Sequence, residues 1–183
     1  TIGGNNTLVG NSARRFGSGG SYNVAMGVNS QYCGGDCSSN TSIGSCTMYF
    51  NTTGQENTVV GRDSLKANTS GEKNTALGAY TLLANTAASY NTAIGYSGLK
   101  CNACGTQNTV LGFCAGHSNT DGCRIVAVGD KALLSNICAR NNTAIGAQSM
   151  QTNESGAQNV GVGTYTLYSN CNASENTAVG YAA

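Results

Sequence analysis

The chain contains no proline and no tryptophan, a single histidine, and only 9% charged residues, against about a quarter in ordinary soluble proteins. Each shortage removes a class of function. The nine Lys and Arg form no run and the net charge is +1, so the electrostatic footprint of a nucleic-acid or membrane-surface binder is missing. Apolar stretches last only a few residues, too short for a transmembrane helix, and membrane insertion is not expected. No signal peptide is visible, and a start at Thr1 rather than Met reads as a processed product or a fragment. His117 has no Ser and Asp at a spacing that suggests a triad. The eight acids, Asp36, Glu56, Asp63, Glu72, Asp121, Asp130, Glu154 and Glu175, do not recur at one place, which argues against paired catalytic carboxylates and repeated calcium ligands. One C-x-x-C, at Cys101 to Cys104, falls short of the two paired ligand sets zinc requires. The glycine-rich Gly17–Ser21 lacks the Lys and strand-to-helix setting of a phosphate loop and reads as a turn. The expectation is a chain that is not an enzyme and holds no cofactor and no metal.

Against these shortages stands a strict internal period. Residues 74 to 78 read NTALG and residues 91 to 95 read NTAIG. Stepping by seventeen from Gly78 meets glycine every time, from Gly10 through Gly61, Gly95 and Gly112 to Gly180. An aliphatic residue or Met precedes each glycine. Four positions before each stands Asn, as at Asn57, Asn74, Asn91 and Asn108, with the single exception of Ile125. The residue after that position is always Thr or Val. A second apolar rank runs through Leu65, Leu82, Leu99, Leu133, Met150 and Leu167. A second Asn rank runs from Asn51, Asn68 and Asn85 to Asn153 and Asn170. No insertion breaks the frame, so residues 1–183 read as one repeat array that opens and closes mid-repeat. Solenoids need polar caps to stay monomeric, and neither end offers one, so either further repeats or end-to-end stacking of copies is expected.

The period and the residue types together choose an architecture. Helical repeats run to 33 residues or more, and Asn, Thr, Gly and β-branched residues disfavour helix. Seventeen residues suit one coil of an all-β, parallel β-solenoid or β-roll of about 11 coils, each coil about 4.8 Å above the last and the rod about 50 Å long. Stacking sets each residue over its own copy, so the Asn ranks become amide ladders. The glycine rank is expected to need a positive φ or a close backbone approach. With about two large apolar side chains per coil the core is thin, which favours intertwining as a trimer or stapling by disulfides.

Nine cysteines in so His-poor a chain suggest an oxidising, extracellular setting. Cys33 and Cys46 are thirteen residues apart, as are Cys101 and Cys114 at the same two places of the frame, making these the preferred pairs. A further pair is expected among Cys104, Cys123 and Cys138, and Cys171 is a candidate for a bond between chains. Sequons at Asn51, Asn68 and Asn153 share the second Asn rank: they carry glycans if that rank faces solvent and cannot if it is an internal ladder.

The N-T-A-I-G-x-x-x-L-x-x-N-T-x-G unit resembles repeats in surface and fibre proteins of bacteria, phages and giant viruses. More loosely, it is similar to the N-S-V-A-I-G motif in the heads of trimeric autotransporter adhesins. The resemblance covers Asn6 to Ala183 and implies a left-handed parallel β-roll that trimerises. It departs in the strict period and in the number of cysteines, and it carries over no binding residue. The expected function is a structural subunit of an extracellular or virion-surface fibre or filament, built from copies of itself as a trimer or a head-to-tail polymer. The alternative is a glycan-binding adhesin or ice-binding solenoid module, with surface glycans as partner.

Overall fold

A computed structural model describes residues 3–183. Among them the backbone forms eleven three-residue strands and no helix: β1 (Thr7–Val9), β2 (Val24–Met26), β3 (Thr41–Ile43), β4 (Thr58–Val60), β5 (Thr75–Leu77), β6 (Thr92–Ile94), β7 (Thr109–Leu111), β8 (Val126–Val128), β9 (Thr143–Ile145), β10 (Val160–Val162) and β11 (Thr177–Val179). They make one parallel sheet in sequence order. Each strand pairs with the next at a shift of one repeat, as Thr75 with Thr92 and Leu77 with Ile94. The fold is therefore the all-β solenoid that the period implies, with one strand per coil and turns closing the remainder.

Hydrogen bonds between coils continue beyond the strands. The Thr75 amide donates forward to the Asn91 carbonyl at 2.8 Å, and the Gly78 amide donates back to Val60 at 2.8 Å. Tyr80 donates back to Arg62 at 3.0 Å, and Leu82 forward to Gly98 at 3.1 Å. So many amides serve as donors between coils that proline has few places to stand, which accounts for its absence. The turns have a further cost. In most coils three non-glycine residues adopt positive φ, as Glu56 (φ 56), Asp63 (φ 54) and Leu65 (φ 49) do in one coil. Left-handed backbone costs a non-glycine residue about 1–2 kcal/mol, and the ladders on both sides hold it in place.

The glycine rank needs both properties foreseen for it. Gly78 has φ +130, and a Cβ there would lie 2.1 Å from the Gly95 carbonyl oxygen. Neighbouring coils meet backbone to backbone along this line, where no side chain fits.

Two amide ladders run through the interior. In the first, the Asn57 Oδ1 accepts from the Asn74 backbone amide at 2.9 Å and from its Nδ2 at 3.1 Å. Asn74 Nδ2 also donates to the Ala88 carbonyl at 3.0 Å. In the second, Asn68 Nδ2 donates to Asn51 Oδ1 at 2.7 Å, and Asn85 Nδ2 to Asn68 Oδ1 at 3.0 Å. Both ranks are buried, so their amides find partners inside the stack, as buried polar groups must.

The second Asn rank starts only at Asn51, because Gly17 and Gly34 occupy its place in the first coils. The space goes to Arg14, whose Cγ would lie 2.6 Å from a Cβ on Gly17. Its buried guanidinium donates to the carbonyls of Gly20 (3.2 Å), Gly19 (3.1 Å) and Gly35 (3.0 Å). The glycine-rich stretch is thus a set of acceptors for an internal arginine.

The core corrects one expectation. Leu65, Leu82, Leu99, Leu133 and Met150 are fully buried, together with the small middle residues of the strands such as Ala76, Ala93 and Ala127. The aliphatic rank before each glycine is not part of that core. Side chains alternate along a strand, so once the middle residue points inward, the Thr before it and the aliphatic after it point outward. Most coils bury one large apolar side chain rather than two.

Candidate interaction surface

The outward strand positions form two parallel files. One is Thr, with Val24, Val126 and Val160 as its exceptions. The other is Val, Ile, Leu or Met on every coil, and several members are open to solvent: Val9 53%, Leu111 46%, Ile145 41% and Val179 70% exposed. Neither file contains a charge. Strand spacing makes the stripe about 48 Å long, and a rise of about 3.3 Å per residue makes two files about 14 Å wide, or about 650 Å². The largest apolar patch on a typical monomer is about 300–600 Å² and often functional; the aliphatic file, about half of the stripe, falls at the lower end of that range.

Aromatic rings stand beside the stripe, as Tyr90, Tyr96 and Phe113 do, and elsewhere on the coil, as Tyr32 and Tyr49 do. Tyr96 and Phe113 stack with centroids 5.5 Å apart and planes 9° apart, and Tyr32 stacks on Tyr49 at 4.8 Å. Arg62 lies over the Tyr80 ring at 4.9 Å, and Lys73 over Tyr90 at 5.4 Å. Ring stacking along the axis packs these aromatic side chains between coils. It also turns the ring faces toward each other and leaves mainly edges for an incoming ligand.

The other candidate residues divide clearly. Asn57, Asn74, Asn91 and Asn108, with Gly61, Gly78, Gly95 and Gly112, are the ladder and close-contact residues expected. Asn51, Asn68 and Asn153 are 0% exposed and donate their Nδ2 to the carbonyls of Gly54, Gly71 and Gly156. The second Asn rank is internal, and the condition for glycans at these three sequons fails in the folded coil. All nine cysteines are free thiols: Cys33, Cys37, Cys46, Cys101, Cys104, Cys114, Cys123, Cys138 and Cys171. Burial raises the Cys37 thiol above its ordinary range against the opposing pull of Arg14, and burial, then Asp130, raises Cys114. Burial, with Lys100 beside it, lowers His117. Among the described residues no group of three or more His, Cys, Asp or Glu is placed to hold a metal ion.

Sequence reasoning missed the outward stripe because apolar residues at a fixed period look like core. The signal available was the middle residue of each strand, small in most coils and always uncharged, which marks the inward position in T-A-I and T-A-V. No family model, no curated protein and no solved structure matches the chain.

Proposed function

We propose that the chain is a structural subunit of a fibre or filament on the outside of a cell or virion, assembled from copies of itself. The observation that carries this reading is the uncharged stripe, which repeats on every described coil of a stack held in a single register. Such a surface suits a partner that repeats at the same interval, as another copy does. The two asparagine ladders and the continuous backbone ladders give the rod stiffness without a large core. Cross-links through Cys33–Cys46 and Cys101–Cys114 within a chain, or through Cys171 between chains, would add to it in an oxidising setting. Catalysis is no part of this reading.

The adhesive alternative has less support. A sugar ring needs an open aromatic face, and Tyr96 and Phe113 cover one another. Ice binding needs an unbroken hydroxyl array, and three valines interrupt the Thr file. Electron microscopy of the purified chain under oxidising conditions tests the fibre reading. Rods or filaments longer than one chain are expected. Particles no longer than about 50 Å at every concentration refute it.

A further inference from the structure

We infer that the outward sheet face is a dimerisation surface that takes a second copy of the same face, side by side and running antiparallel. This adds lateral pairing to the self-assembly of the fibre reading, whose lengthening would still come from contact between coil ends; it is distinct from a trimer. It stands or falls on its own measurement.

Area comes first. Two stripes of about 650 Å² cover about 1,300 Å² together, within the range of stable specific interfaces. The stripe is uncharged and in one register over β1 to β11, so the same residue types recur along its whole length, as a twofold interface between copies requires.

Charge comes second. Two residues before and two residues after each strand border the stripe. With the twofold axis at β6, the arrangement of fullest overlap, β4 of one copy lies opposite β8 of the other. The four charges flanking those two strands are Glu56 and Arg62, and Arg124 and Asp130, all exposed. Antiparallel pairing sets Glu56 opposite Arg124 and Arg62 opposite Asp130, twice each. The other two charged flank residues, Lys73 and Glu175, fall opposite neutral Gln107 and Asn5. No like charges meet. Complementary rims of this kind fix partner and register more than they add affinity.

Direction comes third, and the charges do not decide it. In a parallel pair Glu56 faces Arg62 and Arg124 faces Asp130, which is equally complementary. The files decide. A parallel twofold sets the Thr file of one copy against the aliphatic file of the other and buries hydroxyls against hydrocarbon without partners. An antiparallel twofold sets aliphatic on aliphatic and Thr on Thr, where hydroxyls can bond across the interface. Buried polar groups without partners are costly, so like meets like.

Sedimentation velocity on the reduced, purified chain reads the outcome. The native protein is expected at twice 18.5 kDa. Ile94→Lys, on the twofold axis and outward-facing, is expected to weaken pairing about a hundredfold by setting lysine against lysine, with an unchanged circular dichroism spectrum. Thr69→Lys, on the exposed turn edge away from the sheet, is expected to leave the dimer intact. Glu56→Arg alone weakens pairing, and Glu56→Arg with Arg124→Glu restores it if the copies are antiparallel; in a parallel pair the double variant is weaker than either single. A monomer at all concentrations, a dimer indifferent to Ile94→Lys, or a double variant weaker than the singles overturns the inference. A monomer whose ice-shaping activity disappears with Ile94→Lys overturns it in favour of ice. A dimer that forms no filaments leaves this inference intact and refutes the fibre reading.

Discussion

Ile125 interrupts the first asparagine ladder, and the structure gives a reason that can be measured. In the coil before it, Gly116 stands where other coils have Leu, with φ +59 close to the φ 48 of Leu99 and φ 50 of Leu133. A Cβ on Gly116 would lie 3.1 Å from Leu99 Cδ2, 3.2 Å from Val110 Cγ1 and 3.6 Å from Ile125 Cδ1. Ile125, fully buried, thus fills part of the space a leucine fills elsewhere. The ladder suffers for it. The Ile125 amide still donates to Asn108 Oδ1 at 3.1 Å, but Ile125 offers Asn142 no acceptor of the kind Asn74 offers Asn91 at 3.0 Å.

Ile125→Asn alone removes buried hydrocarbon worth about 3 kcal/mol and regains two ladder hydrogen bonds of about 1 kcal/mol each, a net loss of about 1 kcal/mol. Gly116→Leu alone overpacks a filled space, costing about 1–3 kcal/mol. Together the two changes rebuild the consensus coil, and the double variant is expected within about 0.5 kcal/mol of the native chain or above it. The coupling is then about 2–4 kcal/mol, large even for residues in contact. Urea unfolding of the four proteins, followed by circular dichroism with a check for constant m-values, measures it. Effects that add to within about 0.5 kcal/mol would refute the exchange of space between the two positions.

Other substitutions probe the remaining devices of the coil. Gly95→Ala places a Cβ 2.4 Å from the Gly112 carbonyl oxygen at φ +123 and is expected to cost about 3 kcal/mol or more, seen as a drop in melting temperature. Gln107, exposed at φ 59, behaves oppositely: Gln107→Gly is expected to gain about 0.5–1 kcal/mol by relieving the left-handed strain, and Gln107→Val to lose about as much in the same melt. Timed alkylation with mass mapping should find Cys104, Cys138 and Cys171 reacting first and Cys37 last, since Cys37 is both buried and held protonated by its burial. His117 is held below its ordinary pKa in the fold, so the unfolded chain binds its proton at higher pH. The stability its neutral form contributes is present above pH about 6.5 and lost as pH falls through the lower folded value. The decline in melting temperature from pH 7 toward pH 5 should be shallower in His117→Gln.

How far residues announce their role depends on what they touch. Asn74 and Gly78 touch their own copies one coil away, so the period shows them directly, and with them the ladders and the parallel sheet. Leu77 and Leu82 are both apolar and both periodic, yet one faces out and one in. Only the strand's short length and the small Ala76 between Thr75 and Leu77 decide which. The left-handed φ of Leu65, Leu82 and Leu99 was not legible, since leucine has no preference for it and the conformation follows from closing the turn under hydrogen bonds to both neighbours. The sequons at Asn51, Asn68 and Asn153 carry the same letters whether the rank is inside or outside, and burial settled what the motif left open. The trade between Gly116 and Ile125 joins two different ranks of the repeat, and only the packing of both against Leu99 and Val110 in one core connects them.

Everything in the account depends on each block of seventeen residues lying in register over the next, and through-hydrogen-bond scalar couplings in solution NMR report that register atom by atom. Couplings are expected from the Thr75 amide to the Asn91 carbonyl, from Thr92 to Asn108, and backward from Gly95 to Leu77, all at 2.8 Å. The same offsets should repeat along the chain. Couplings that join the strands at any other offset, or the reciprocal pairs of antiparallel strands, would contradict it.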